Sequence, residues 1–497
     1  MRIILAGFNV DTEILRKLAG KKRIELTPET LSAAYARISR SPLPVDQLRK
    51  IAREEVGRAR KSNRTIIFEM GHHSVAEHAV FNFDIIGVSR LAVEEVEKFR
   101  LCAYTEKSQR YVAMTGDFVT PFEICDLKLV KEFGLLVRLQ NETYQYLYGK
   151  LRALILKQSR TGKPDKSDLR ILENRAKEDA RYVLPLATQA QLGATVNGRN
   201  LELILRRFAA HPLDEVRRLG AGLFEQVRKT APSIIIFSEG DDYDRRRQAD
   251  LAAAVADWPG DQSCPGTEDV SLVSYTPDGD DIILAGLVHT VSDCSYMECR
   301  ARLSKMPRAE KTRLVKTALK HMQLYDAPPR EFEYATLTYE LVVSASCFAQ
   351  LKRHRMLTMT SQRYEPGLGV TVPESIKRAG AESRFNDMIR QTERVHDLVK
   401  NHNEIAAQYV LTNAHRKRVL LALNLRELYH IARLREDQTA QWDIRGVVGK
   451  MVEKACKVMP VLCLLIGGKD RYPEIYKKLY GCLPKVVRAE LPGVREY

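Results

Sequence analysis

Two stretches of the chain alternate apolar and polar residues with the period of a half-buried strand. In the first, Phe81, Phe83 and Ile85 are separated by Asn82 and Asp84; in the second, Ala335, Leu337, Tyr339 and Leu341 are separated by Thr336, Thr338 and Glu340. Each predicted strand runs into a predicted helix that a serine is placed to cap, Ser89 in one case and Ser344 in the other. The first helix ends in Lys98-Phe99-Arg100 and the second in Arg353-His354-Arg355. After a short loop both stretches spell Ser-Gln-Arg-Tyr, at 108–111 and at 361–364. Further on, each has a helix that opens with Asn-x-Arg, at Asn197-Gly198-Arg199 and at Asn424-Leu425-Arg426. So many features repeated in one order identify a tandem duplication whose copies have diverged.

The join lies between Gln248 and Glu268, where Ala-rich, Pro/Gly-containing and acidic text has no sustained core pattern. This predicts a first copy over 1–245, a linker over 246–268 and a second copy over 269–497. The first copy also carries KQSRTGKPDKSD at 157–168, which reads as an inserted, exposed loop.

Composition narrows the class. With 497 residues, 44% apolar and 29% charged, the chain has a globular balance and enough length for two or three domains. The opening MRIILAGF reads as a buried strand and not as a signal peptide. The apolar run Val458 to Gly468 contains a proline and is too short to cross a bilayer. Nine cysteines without a CxxC pair fit free thiols in a reducing cytoplasm, and offer zinc no ligand spacing. A cytoplasmic protein without a membrane partner or metal is expected. The formal charge of +16 attracts polyanions, either nucleic acid or phosphorylated small molecules. Aromatic residues, at 7%, do not alternate with the basic runs as base-stacking platforms do, which disfavours nucleic acid.

Candidate chemistry gathers in the repeated elements. Guanidiniums at the end of a helix, followed by a Ser/Gln/Arg loop, supply paired donors and a hydroxyl to a phosphate. Cations there also complement the helix C-terminal dipole, so the run by itself leaves both readings open. GHHSVAEH at 71–78 matches neither zinc-hydrolase spacing, and His73 and Ser74 suit either an anionic cofactor or a structural role. On the helix after Asn424, the residues Arg426, His430 and Arg433 share one face, while Asn424 and Arg435 share another.

Taken in combination, these motifs resemble the flavin-dependent thymidylate synthase family. GHHSVAEHAVFNFDIIGVSR followed by SQRYV is similar to its substrate-side text, and the RHR of the second copy to its signature RHRxxSxNExSxRY. ARYVLP at 180–185 with Asn197-Gly198-Arg199, and NLRELYHIARLREDQTAQWDIR at 424–445, resemble its later motifs. The resemblance implies an α+β fold: two tandem copies, each a mixed or antiparallel sheet flanked by helices. It further implies FAD as cofactor, methylation of dUMP to dTMP, and methylenetetrahydrofolate and NADPH as co-substrates. Because the family forms homotetramers, a homodimer of duplicated chains is expected to mimic one. By resemblance, Glu106, Ser108, Gln109, Arg110, Gln350 and Arg353 bind substrate, and Arg435 and Arg181 are catalytic, facing the uracil carbonyls. His73, Ser74, Arg353, His354, Arg355, Asn197, Arg199, Asn424, Arg426 and His430 are expected to bind the flavin.

Each copy departs from that pattern differently. The first keeps the loop and Arg181 but has Glu95 where the family has glutamine, Lys98-Phe99 where it has Arg-His, and Phe208 at the catalytic arginine, with Arg206 and Arg207 adjacent. The second keeps Gln350, Arg353, His354, Arg355, Asn424, Arg426, Arg435 and Gln441. Its loop is two residues shorter and lacks the glutamate, Gln408 replaces the ARxVLP arginine, and Ala345 replaces the VSR arginine. In the family one subunit gives the loop and its neighbour the helix residues, so the retained sets predict one complete composite site. Two alternatives remain: a flavoprotein relative acting on another nucleotide, and a non-enzymatic nucleic-acid-binding or regulatory protein.

Overall fold

The structure, a computed structural model, describes residues 1–14, 26–38, 41–158, 166–258 and 268–485. Contacts divide the chain into two compact units: residues 1–261 with 372–413, and residues 262–371 with 414–497. Residues 372–413, second-copy by sequence, belong with the first unit. The expected linker is entered by the helix Asp242–Ala254, which has no buried residue, and 259–267 lie outside the described residues. The expected inserted loop is largely helical at its ends: Leu127–Gln158 and Lys166–Ala180 are helices, and the stretch between them is outside the described residues.

In the first unit, strands β1 (Arg2–Phe8), β2 (Val80–Ser89), β3 (Ala103–Glu106) and β4 (Gln189–Asn197) form a four-stranded sheet in the order β1-β2-β4-β3, every pairing antiparallel. The second unit repeats it with β5 (Val270–Tyr275), β6 (Thr336–Ser344), β7 (Thr358–Ser361) and β8 (Arg416–Asn424), in the order β5-β6-β8-β7. Even the irregularity of the edge strand recurs, between Leu5 and Gly7 in β1 and between Leu272 and Ser274 in β5. The strand β2 carries one bulge that β6 lacks, at Gly87, whose φ of 76° is open to glycine at little steric cost.

Alternation puts one face of each sheet into a core. Phe81, Phe83 and Ile85 are buried, as are Leu337, Tyr339 and Leu341. In the second unit they pack with Val419, Leu421 and Leu423 of β8 and with the helices Leu425–Arg435 and Trp442–Val458. The buried Tyr339 hydroxyl donates to the Met451 carbonyl at 2.9 Å, which offsets the cost of hiding it. Both predicted serine caps are present: Ser89 Oγ accepts from Ala92 N at 2.9 Å and Ser344 Oγ from Cys347 N at 3.0 Å. Each hydroxyl also donates to a carboxylate of a later helix, Glu215 at 2.6 Å and Asp443 at 2.5 Å.

First-unit additions from 372–413 sit on the helical side. The helix Glu382–His402 packs on Leu127–Gln158, where Gln140 Nε2 donates to Thr392 Oγ1 at 3.0 Å and to the Val410 carbonyl at 2.8 Å. The segment after Arg181 and its second-copy counterpart exchange backbone bonds, Leu186 N to Leu411 O at 2.8 Å and Asn413 N to Leu184 O at 2.9 Å.

Candidate active site

In the first unit, β3 delivers Glu106 at its end and the loop 107–111 follows. Lys107 N donates to the Gln191 carbonyl at 2.9 Å, Arg110 N to Ser108 Oγ at 3.2 Å and Val112 N to the Ser108 carbonyl at 3.1 Å, a local turn that fixes the loop backbone. Gln109, buried, accepts from Asn413 Nδ2 at 3.0 Å, and the same amide donates to the Arg181 carbonyl at 3.0 Å. Arg110 Nε pairs with Glu178 at 2.5 Å. Burial pushes the Glu178 carboxyl up, against the pull of Arg110 and Arg181.

Arg181 is the chemically expressive member. It is 6% exposed, and its Nε and Nη2 have no hydrogen-bond partner among the described residues. A buried guanidinium with orphaned donors is costly, and an acceptor group of a ligand would offset that cost. Arg90, also buried, lies 3.7 Å from both Glu94 and Glu106. This explains a paired departure in the second copy. Glu106 faces Leu192 in β4, and Ser361 faces Val419 in β8, each five residues before its Asn cap. By register, therefore, Ser361 stands in the place of Glu106, and Ala345 in that of Arg90.

It follows that the two Ser-Gln-Arg-Tyr runs are not structural equivalents. The first begins beyond its strand and the second within β7. Tyr111 is 54% exposed, whereas Tyr364 is buried and holds Lys417 Nζ 4.2 Å from its ring, with Phe348 on the other contact at 3.6 Å. The second loop is committed to packing.

The second unit carries the other set. Its helix Ala345–Leu351 stops short of Arg353-His354-Arg355, which lies in the turn beyond. Gln350 Nε2 donates to Gln441 Oε1 at 3.0 Å, while Gln350 Oε1 is buried without a hydrogen-bond partner among the described residues. Arg435 Nε donates to His354 Nε2 at 3.0 Å and its Nη2 to the Gln350 carbonyl at 3.2 Å. Burial, with Arg435 and His430 beside it, pushes His354 down to about 3, so the imidazole is neutral. His430 meets it edge-on at 5.8 Å between centroids. Arg353 is half-buried and Arg355 exposed.

Position for position, the first unit has a plug in place of this constellation. Phe99 and Phe208 meet edge-to-face at 5.9 Å where His354 and Arg435 hydrogen-bond. Glu95 stands for Gln350 and is held by Lys98 at 2.6 Å and His211 at 3.2 Å. Burial works to raise this carboxyl, but Lys98 and His211 outweigh it and hold it well below the usual range. Arg206 and Arg207 do not replace the missing arginine, since both pair with Asp244.

Other expected flavin ligands are placed as follows. Asn197 and Asn424 are helix caps, accepting from Asn200 N at 2.9 Å and Glu427 N at 2.8 Å. Arg199 pairs with Glu77 at 2.7 Å, and His73 and Ser74 are exposed at the start of a 3₁₀ turn. Arg426 is tied to the Pro328 carbonyl at 2.8 Å and Glu333 at 3.0 Å, and Arg433 to the Leu324 carbonyl at 2.7 Å. The basic face of that helix is thus partly occupied by its own unit. Glu178, Asn413 and Glu427 escaped the sequence reading; the proximity of Glu178 to Arg181 on one helical turn was the available signal. Among the described residues no helix is long and apolar enough to cross a membrane, and no cluster of three or more His, Cys, Asp or Glu side chains could hold a metal ion.

Comparison with known proteins agrees with the duplicated architecture. The family model for thymidylate synthase complementing protein, Thy1, matches residues 24–233 and again 271–461. A UPF0159 protein of Thermoplasma acidophilum is 24% identical over 498 residues, covering 88% of this chain and 95% of its own. The flavin-dependent thymidylate synthase of Clostridium tetani is 30% identical over 223 residues, 44% of this chain and 85% of that enzyme. A crystal structure of Thymidylate Synthase X from Helicobacter pylori with FAD and dUMP aligns with 48% of this chain and 98% of its own at 17% identity and a TM-score of 0.29. Since the family model covers most of both copies, the chain belongs to the Thy1 family of thymidylate synthase complementing proteins.

Proposed function

We propose that this chain is a flavin-dependent thymidylate synthase that methylates dUMP to dTMP with methylenetetrahydrofolate and NADPH, drawing on residues of both copies. The observation that carries this reading is the complementary division of the polar constellation. The first unit keeps the open loop, Arg90–Glu106 and the orphaned Arg181, and the second keeps Gln350, Arg353, His354 and Arg435. Neutral drift in a non-enzyme would not spare opposite sets.

Ser108, the backbone of Gln109 and Arg110 would hold the nucleotide phosphate. Ser108 Oγ already accepts a backbone N–H, which suits a ligand role and gives it no base to act as a nucleophile. Arg181 and Arg435 would face the uracil carbonyls, where fixed guanidiniums stabilise charge developing on the ring. FAD supplies the hydride chemistry when bound. The donors fit it in part: Arg353, Arg355, His73 and Ser74 project from turns, and the capped Asn197 and Asn424 have amide nitrogens to offer. His354 and Arg426 already serve protein partners, and His430, lowered by burial and by Arg435, would offer a neutral bond. A homodimer would supply four copies, as a tetramer of single-copy chains does.

The test is direct. Purified protein should be yellow and should form dTMP from dUMP, methylenetetrahydrofolate and NADPH. A colourless protein that gains no flavin absorbance on adding FAD and turns over no dUMP would end this reading.

A further inference from the structure

Around Arg435 a set of side chains differs between the copies as a block. His354, Glu427, His430 and Arg435 of the second unit correspond to Phe99, Asn200, Leu203 and Phe208 of the first, counted from the serine and asparagine caps. Where the arginine is gone, its whole titratable escort is gone. Three of these groups have stated roles above, but Glu427 has none.

Its geometry suggests one. Because His354 Nε2 accepts from Arg435 at 3.0 Å, the proton of the neutral ring resides on Nδ1. That nitrogen faces Glu427 Oε1 at 3.8 Å. Glu427 is only 7% exposed, in the first turn of the helix that ends at Arg435. Burying a carboxyl is expensive, and burial pushes this one up to about 7 even with Arg426 alongside. Asn200, its counterpart, makes a local bond to the Asn197 cap and buries no carboxyl. The second copy keeps an expensive group only where Arg435 is kept.

We propose that Glu427 is a positioning residue: its carboxyl holds His354 with the proton on Nδ1, so that Nε2 accepts from Arg435 and sets the orientation of the guanidinium. The inference rests on the reading of Arg435 as a group that faces the substrate. A tautomer set by the partner of the other ring nitrogen is a general way to aim an imidazole.

Two measurements test it. In dUMP turnover, Glu427→Leu should lower kcat by about 10- to 100-fold, the scale for a misplaced reacting group, with the KM for dUMP within about 3-fold. Glu427→Gln, whose amide oxygen keeps an acceptor facing Nδ1, should restore kcat to near that of the parent. Full kcat in Glu427→Leu, or equal damage in Glu427→Gln, overturns the proposal. Independently of activity, ¹⁵N-imidazole NMR of the full chain, with the His354 signal assigned by its loss in His354→Gln, should show a neutral Nδ1–H ring at pH 7. An imidazolium or an Nε2–H ring also overturns it. Failure of the thymidylate reading looks different: no dUMP turnover, or an unimpaired Arg435→Ala, with the NMR result intact.

Discussion

Arg90 and Glu106 show at the residue scale why charges disappear in pairs. A buried guanidinium that loses its carboxylate costs about 3–5 kcal/mol, so a copy that drops one does better to drop both. Arg90→Ala should therefore destabilise the chain by about 3–5 kcal/mol in urea unfolding, since it removes the guanidinium that faces Glu94 and Glu106. Ala345→Arg, although it restores the family residue, should destabilise too; a neutral effect of either change would refute the pairing. The four retained arginines carry a second forecast. Arg110→Ala, Arg181→Ala, Arg353→Ala and Arg435→Ala should each lower dUMP turnover at least about 100-fold, the scale of a lost preorganised donor. Lys98→Ala, in the plugged position, and Gln408→Ala should stay within about 3-fold. Equal damage from Lys98→Ala and Arg353→Ala would show that both positions work.

The Glu427–His354 pair also links stability to pH, and the two signs oppose. Glu427 is raised from 4.5 to about 7, so its stabilising contribution is present below 4.5 and is lost as pH rises through 7. His354 is lowered from 6.5 to about 3, so its contribution is present above 6.5 and is lost as pH falls toward 3. Between 4.5 and 6.5 the slopes cancel, with Arg426 and Arg435 as the charged neighbours and His430 as a titratable one. Glu427→Gln should expose the histidine slope, so that stability rises with pH across this window by up to about 1.4 kcal/mol per unit relative to the parent chain. Unfolding curves for both proteins at pH 5 and pH 6 check it, and parallel behaviour would contradict the assignment.

At the scale of elements, the plug in the first unit is a matter of two helices adapting together. Phe208 lies on the helix Gly198–Ala209 and packs against Gly220 of the next helix, Asp214–Val227, where an added Cβ would sit 2.8 Å from the Phe208 Cβ. The second copy has Val448 at the position of Gly220, counted from the paired carboxylates Glu215 and Asp443. Gly220→Ala should thus cost about 1–3 kcal/mol by overpacking, read as a lowered melting temperature, and an unchanged melting temperature would mean that the two helices have room to part. The same scale explains the diverged loops. A loop shortened by two residues pulls Ser361 into β7 and turns Tyr364 inward onto Lys417, so identical letters serve different ends.

For the whole molecule, the proposed homodimer should scatter light as about twice the chain mass. A monomer with full flavin occupancy and turnover would remove that proposal while leaving the chemistry standing. The charge of +16 is assigned to phosphate-bearing ligands, so binding to a mixed oligonucleotide at physiological salt should be about micromolar or weaker. Nanomolar, sequence-dependent binding would show that catalysis is not the whole account.

What the sequence determined by itself was everything carried by local periodicity and short-range bonding. The strands over 80–89 and 336–344, the Ser89 and Ser344 caps and the Asn197 and Asn424 helix starts all depend on residues within a few positions of one another. The duplication was legible for the same reason, since each copy repeats those local signals. Tertiary structure alone decided the rest. Residues 372–413 join the first unit because their buried polar groups, such as Asn413 and Tyr409, find partners at Gln109 and Glu215, hundreds of positions away in the chain. Phe99 meets Phe208, and His354 meets Arg435, only after the sheet has folded. The cost of a buried charge is set by what surrounds it in space, and no spacing along the chain encodes that.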